Sequence, residues 1–364
     1  MVVRQINHKR LHEEVQRQAK RHVDNLTKPL GSLGALEQVY VRLAGITGQL
    51  HPDIGQKAIV IMCGDHGIAE EGVSAYPQAV TGLMIHNFAK GKAAINVLAR
   101  QHGAEVRVVD VGSLLDDVPI PVVDRRVRKS TANFTVAPAM SLDEAEQAIQ
   151  AGVDVVRQLK AEGTRLLAVG EMGIGNTTSG AALTAALTGL EVERLTGRGT
   201  GVSDESLSKK QQAIKQALAT HRPDPRRPLD VLAQLGGLEI AGMVGCYLGA
   251  AQEGLPAVMD GLISTAAALV AVRLEPMVKD VLFASHLSVE PAHAVLLQEL
   301  GLEPLIAAGM RLGEASGAAL SFPLFDSAVR LAREMATFAD LGLPEPNSSL
   351  GEIEQGEEQG ANQP

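Results

Sequence analysis

Aromatic side chains are almost missing from this chain: they make up 2% of 364 residues, and Trp is absent. Stacked aromatic platforms, the usual grip on single-stranded nucleic acid, are therefore not supported. Cysteine is nearly as scarce. Cys63 and Cys246 lie far apart in apolar runs and no CxxC pair occurs, which argues against a disulfide framework and fits buried free thiols in a reducing compartment. Positive charge is not concentrated either. The net charge is −9, and the two locally basic stretches, 8–21 and 222–228, read as a mixed-sign solvated face and a loop. A nucleic-acid backbone is not an expected partner. No uninterrupted apolar run approaches about 18 residues and no signal-type leader opens the sequence, so a soluble cytoplasmic protein without a membrane partner is expected.

Several common catalytic motifs are missing as well. There is no GxxxxGK[ST] loop, Gly173, Gly175 and Gly180 do not fit GxGxxG, and no GxSxG nucleophile elbow occurs. His286, Glu290 and His293 invite a metal reading, but Pro291 disrupts the helix that would align them; polar or substrate contacts are the better expectation.

What remains is aliphatic and glycine-rich. Apolar residues make up 45% of the chain, ample for a core of Ala, Val, Leu and Ile, and 37 glycines suggest close packing of elements. Short continuous apolar runs at 58–62, 106–111, 166–169, 256–259 and 281–284 read as strands buried on both faces. Helical periodicity fills the intervals 80–100, 142–162, 179–187, 238–251 and 264–272. Alternating strands and helices predict an α/β fold: a doubly wound, mostly parallel sheet with helices on both faces. Helices over 9–26 and from 33 onward, and again over 292–300 and 308–339 with Pro323 a kink or break, predict a small helical domain from both chain ends. The expected division is 1–50 and 301–343 for the small domain, 51–300 for the catalytic one, and 344–364 as an acidic disordered tail.

Chemistry collects at the strand ends. Gly64-Asp65-His66-Gly67, Asp110-Val111-Gly112, Gly170-Glu171, Asp260-Gly261 and Ser285-His286-Leu287-Ser288 each follow an apolar run, and ligands of open parallel sheets bind at the carboxyl ends of strands. The segment VGEMGIGNTTSGAA (169–182) opens from a strand through glycines into a helix, placing bare N–H groups and a helix dipole where an anion would sit. Glu171 has no role in phosphate binding alone, so it points to a reaction site. A second segment, GRGTGVSDESLSKK (197–210), alternates glycines, supplies Ser203 or Asp204 as a helix cap, and ends on Lys209-Lys210; it reads either as a phosphate cradle or as a flexible capped loop. In MRLGEASGAALSFP (310–323), Glu314 lies between glycines in apolar surroundings. Desolvation there would raise its pKa toward that of a general base, while a helix N-terminal Glu is the plainer alternative.

These segments, with KPLGSLGALE (28–37), GDHGIAEEGVSAYPQAVT (64–81), LGGLEIAGM (235–243), DGLISTAAAL (260–269) and SHLSVEPAH (285–293), resemble in order the nicotinate-nucleotide–dimethylbenzimidazole phosphoribosyltransferase family of cobalamin lower-ligand synthesis. The resemblance covers nearly everything except the tail. It implies a homodimer acting on small molecules, nicotinate mononucleotide and 5,6-dimethylbenzimidazole, without a metal or other cofactor. Position by position, it implies that Glu314 is the general base and Glu171 a second active-site carboxylate. It assigns Gly173, Gly175, Asn176 and Thr177 to the nucleotide loop, and Gly201, Lys210, Gly261 and Ser288 to nucleotide or phosphate contacts. Tyr76 and Pro77 would border the base, walled by Met172 and Leu312. The family pattern has Gln where this chain has Leu83, which implies a more apolar base pocket, suited to dimethylbenzimidazole or a simpler aromatic over adenine. Transfer to another base, or a silent nucleotide-binding protein on the same fold, are the competing readings.

Overall fold

A computed structural model of the chain describes residues 11–199 and 201–344. It divides into two compact units, Ile54–Phe322 and Leu11–Asp53 together with the chain from Pro323.

The larger unit is built on a six-stranded sheet: β1 (Lys57–Gly64), β2 (Ala104–Gly112), β3 (Val123–Asp124), β4 (Leu166–Met172), β5 (Ala257–Met259) and β6 (Leu282–Ala284). The order is β3-β2-β1-β4-β5-β6, with every pairing parallel. Every residue of β1 is buried, as expected of a strand covered on both faces. The chain winds outward from β1 in one direction, returns to β4, and winds outward the other way. The switch point therefore lies between β1 and β4, where the diverging connections leave a crevice beyond the carboxyl ends. Register sets which residues meet there. Met62 pairs with Glu171 and Cys63 with Met172, while Val169 pairs with Met259 and Met259 with Ala284. His66, Glu171, Asp260 and Ser285 thus follow one edge of the sheet.

Small residues set the packing. The helices Leu142–Ala161 and Leu238–Glu253 approach backbone to backbone. A Cβ on Gly152 would lie 2.0 Å from the Gly242 carbonyl oxygen, and one on Gly245 would lie 1.9 Å from that of Ile149. The abundance of glycine and the scarcity of aromatics are two sides of this arrangement. Ser141 opens the first of these helices with a capping box: its Oγ accepts from Glu144 N at 3.2 Å, and Glu144 Oε2 accepts from Ser141 N at 2.8 Å.

In the smaller unit, helices Glu13–Asp24 and Ala35–Thr47 join the late part of the helix Ser316–Glu334. Its two segments are tied by backbone bonds: Thr27 N donates to Ala336 O at 3.0 Å and Phe338 N to Asn25 O at 2.9 Å. Lys28 and Glu37 form a buried ion pair at 2.8 Å.

The structure departs from the sequence reading in four places. The helix expected over 80–100 is two, Val80–Ala89 and Ala94–Gln101, broken where Gly91 takes φ +70°. The helix expected over 308–339 begins only at Ser316, because Gly309, Gly313, Glu314 and Ala315 all take positive φ. Pro323 does not break that helix but lies inside it. The two-residue β3 was not expected; it is too short to carry a period. The expected tail from residue 345 and the expected helix start at 9–10 lie outside the described residues.

Gly245→Ala is expected to destabilise the fold by at least the ~1–3 kcal/mol typical of overpacking. A lower midpoint in urea unfolding at unchanged slope would show it, and an unchanged midpoint would mean that the two helices can separate.

Candidate active site

A cavity of about 570 Å³ opens at the carboxyl edge of the sheet, within the larger unit. That size suits a small-molecule substrate. Its floor comes from the end of β4 and the loop into helix Asn176–Thr188, which bring Glu171, Met172, Gly173, Asn176 and Thr177 to the wall. The ends of β5 and β6 contribute Asp260, Gly261, His286, Ser288 and Glu290. Tyr76, with Val80 and Met84 one helical turn apart, forms an apolar side, and Arg311, Leu312, Gly313 and Glu314 cross the mouth.

Glu314 reaches the cavity on unusual backbone. Glu314 and Ala315 take φ +59° and +58°, a left-handed pair without glycine. Such residues cost on the order of 1–3 kcal/mol each and persist where surrounding contacts fix them. The contacts are visible. A Cβ on Gly170 would lie 2.2 Å from Ala315 N, so the strand end lacks a side chain where the loop presses on it. Asp260 Oδ1 then accepts from Gly317 N at 2.8 Å and Ala318 N at 3.2 Å, capping the following helix from another strand.

Burial and crowding push the acids toward the neutral form. Glu171 is raised to about 8, first by burial and then by the nearby charges of Glu239 and Asp260; Asn176 Nδ2 donates to its Oε2 and partly offsets this. Asp260 is raised to about 7 by burial, against the pull of its backbone donors. Glu314 is raised by burial, with Ile95 N donating to its Oε2 at 3.4 Å. His286 is lowered by burial; its Nδ1 lies 3.0 Å from Ser285 Oγ and 3.8 Å from Asp260 Oδ1. His293 is lowered to about 3, chiefly by burial; its Nδ1 accepts from Ser288 N at 2.9 Å, which fixes the Ser288 backbone at the wall. Among the described residues no group of three or more His, Cys, Asp or Glu is arranged to hold a metal ion. Pro291 starts the helix Pro291–Leu300 and leaves Glu290 just outside it.

Of the residues singled out in the sequence, Tyr76, Glu171, Met172, Gly173, Asn176, Thr177, Gly261, Ser288, Leu312 and Glu314 line one cavity. Others are not on its wall. Gly175, with φ +102°, shapes the turn into helix Asn176–Thr188. Lys210 is 1% exposed; its Nζ donates to Thr177 Oγ1 at 2.8 Å, and burial lowers its pKa to about 8. Pro77 and Gly201 also lie off the wall, and Leu83 points away, 65% exposed. Val80 and Met84, one turn apart on the same helix, face the cavity instead. The sequence marks Asp260, His286 and Glu290 by position without assigning them roles, and it gives no signal for Val80, Met84, Ile263 or Arg311.

A phosphoribosyltransferase family model matches residues 8–343. Among curated proteins, the nicotinate-nucleotide–dimethylbenzimidazole phosphoribosyltransferase of Desulforamulus reducens is 52% identical over 330 residues, covering 90% of this chain and 93% of that protein. The protein of the same name from Geobacter sulfurreducens is 50% identical over 334 residues, covering 91% and 95%. Among solved structures, CobT from Thermus thermophilus superposes with a TM-score of 0.86 at 48% identity, covering 91% of this chain and 99% of that one. The fold and the match over nearly the whole described chain define a phosphoribosyltransferase. More narrowly, the chain belongs to the nicotinate-nucleotide–dimethylbenzimidazole phosphoribosyltransferase family.

The raised Glu171 has a consequence for stability. The unfolded carboxyl loses its proton in the ordinary carboxyl range, near 4.5, whereas the folded one keeps it to about 8. Between those values only the folded chain holds the proton, so stability falls as pH rises, by about 1.4 kcal/mol per pH unit. Glu171→Gln removes that slope. Its thermal midpoint should exceed the wild type's at pH 8, with the excess shrinking toward pH 5. A constant difference across that range would mean that Glu171 titrates as an ordinary carboxyl.

Proposed function

We propose that this chain transfers the phosphoribosyl group of nicotinate mononucleotide to 5,6-dimethylbenzimidazole, giving α-ribazole 5′-phosphate and nicotinate for the nucleotide loop of cobalamin. The observation that carries the reading is the meeting of Glu171 and Glu314, two buried carboxyls with raised proton affinity, in one apolar-sided cavity. The pyridinium nitrogen of the nucleotide is already a good leaving group. The C1′–N bond breaks with its electron pair going to nicotinate, and a benzimidazole nitrogen attacks C1′ from the opposite face, turning a β-nucleotide into an α-product. As that bond forms, the other benzimidazole nitrogen becomes acidic, and Glu314 accepts its proton. Hydrogen bonding there strengthens as charge develops, so it stabilises the transition state more than the ground state. Glu171, braced by Asn176, stands beside the ribose and reacting centre.

For the phosphate, the supporting elements are the N-terminal turn of helix Asn176–Thr188, the Ser288 loop, and Lys210 behind Thr177. Tyr76, Val80, Met84, Met172 and Leu312 offer an apolar slot for the base, which favours a benzimidazole over a more polar acceptor. The presence of both carboxylates speaks against a silent relative. Tyr76 and Leu312, each more than half exposed, support a second copy near the cavity mouth and hence a homodimer. Among the described residues no helix is long and apolar enough to cross a membrane, in keeping with a cytoplasmic enzyme.

Incubation with nicotinate mononucleotide and a mixture of bases, read by mass spectrometry, tests the reaction and ranks the acceptors; absence of any ribosylated base would overturn it. Glu314→Gln keeps the shape and removes the base. Its kcat should fall by roughly 10²–10⁴-fold with both substrates still bound. Near wild-type turnover would move the base role elsewhere. Lys210→Ala should weaken nucleotide binding by on the order of 1.5–3 kcal/mol in calorimetry and leave base binding intact. Unchanged nucleotide affinity would place the phosphate away from the Thr177 turn.

A further inference from the structure

Behind the cavity lies a buried polar pair that the reaction as written does not use. His66, at the end of β1, and Glu239, in the first turn of helix Leu238–Glu253, are both fully buried, with Nε2 and Oε1 2.7 Å apart. On its other side, His66 Nδ1 lies 3.1 Å from Ser179 Oγ. One proton placement satisfies every partner: Nε2–H donates to Glu239, and Nδ1 accepts from the Ser179 hydroxyl. Glu239 Oε2 has no hydrogen-bond partner among the described residues. Burying such a pair carries a desolvation cost that its hydrogen bonds must offset.

Three glycines make room for the pair. A Cβ on Gly237 would lie 2.3 Å from His66 Cε1 and 2.5 Å from Glu239 Oε2; one on Gly64 would lie 3.2 Å from the same oxygen. One on Gly173 would lie 3.2 Å from His66 Nε2. Gly173 is itself at the cavity wall, so the imidazole backs the wall directly. Ser179 sits one helical turn after Asn176, and Asn176 holds Glu171.

We infer that His66 and Glu239 are positioning residues for the transfer: Glu239 holds His66, which through Ser179 sets the helical turn that carries Asn176 onto Glu171, and Glu239 places its own carboxyl near that of Glu171. This rests on the role proposed for Glu171. The titratable groups that act on that carboxyl are Cys63 from β1, Glu239 from its helix, Asp260 from the end of β5, and Glu314 from the loop before helix Ser316–Glu334. Among the charges that raise Glu171, that of Glu239 is the largest.

The test compares wild type, Glu239→Gln, Ser179→Ala and Glu171→Gln. Two readouts are followed against pH: kcat, and the infrared carboxylic-acid band that Glu171→Gln abolishes. In Glu239→Gln, which keeps an acceptor for His66 but loses the charge, the band and the kcat limb that follows it should move to lower pH by on the order of 1 unit. In Ser179→Ala, a milder change should lower kcat by roughly 10- to 100-fold while the thermal midpoint stays near that of wild type. If Glu239→Gln does not fold, Ser179→Ala carries the test alone. Variants whose band position and kcat match wild type would overturn the inference, as would losses explained entirely by a lower midpoint. The infrared readout needs no turnover. A wild type that makes no ribosylated base would therefore refute the proposed reaction while leaving the positioning claim open to measurement.

Discussion

Among the carboxyl groups at the carboxyl edge of the sheet, four crowd together around the cavity, and the elements that carry them are tied there by hydrogen bonds. Glu171, Asp260, Glu314 and Glu239 are each largely buried, and like charges brought that close cannot all ionise. The structure compensates locally. Asp260 takes backbone donors from the start of a helix, Glu171 takes an amide from Asn176, and Glu239 takes an imidazole. These partners come from different elements, so the acids act as the knots by which strand ends and helix starts are held in register. The energetic deficit is met by the aliphatic core, where backbone-to-backbone helix packing leaves little empty volume.

Much of the fold was legible because its strands are buried on both faces. Ala58–Met62 and Leu166–Val169 announce themselves as apolar runs, and both appear within β1 and β4. What failed to show were features that depend on conformation rather than pattern. Nothing in the apolar period of 80–100 marks Gly91 as a break, since an isolated glycine inside a helical pattern is often tolerated. Ala315 in a left-handed conformation has no compositional signature; the close approach of Gly170 and the Asp260 cap on the following turn hold it.

The site divides along the same line. Glu171 and Glu314 stood out because a carboxylate among glycines and apolar residues has no routine job. Lys210 stood out by charge, yet its burial behind Thr177 depends on the packing of two distant helices and could not be inferred from spacing. Val80 and Met84 carry no mark in the sequence beyond their place in a helical stretch, and it is the fold that turns them onto the cavity. Asp260 was placed at a strand end, but its work of capping the helix after Glu314 requires the β5 end and residues 317–318 to meet, a contact across more than fifty positions.

The poverty in aromatics has an optical consequence. Without Trp, the intrinsic emission of this chain comes from Tyr40, Tyr76 and Tyr247, of which Tyr40 and Tyr247 are sealed in the interior and only Tyr76 borders the cavity. The protein is thus nearly dark at wavelengths beyond the tyrosine emission band. A base analogue that emits there would be seen on entering the cavity against almost no background, and for an analogue that absorbs in the tyrosine band Tyr76 would serve as a built-in donor. Occupancy could then be followed in real time on the unlabelled chain.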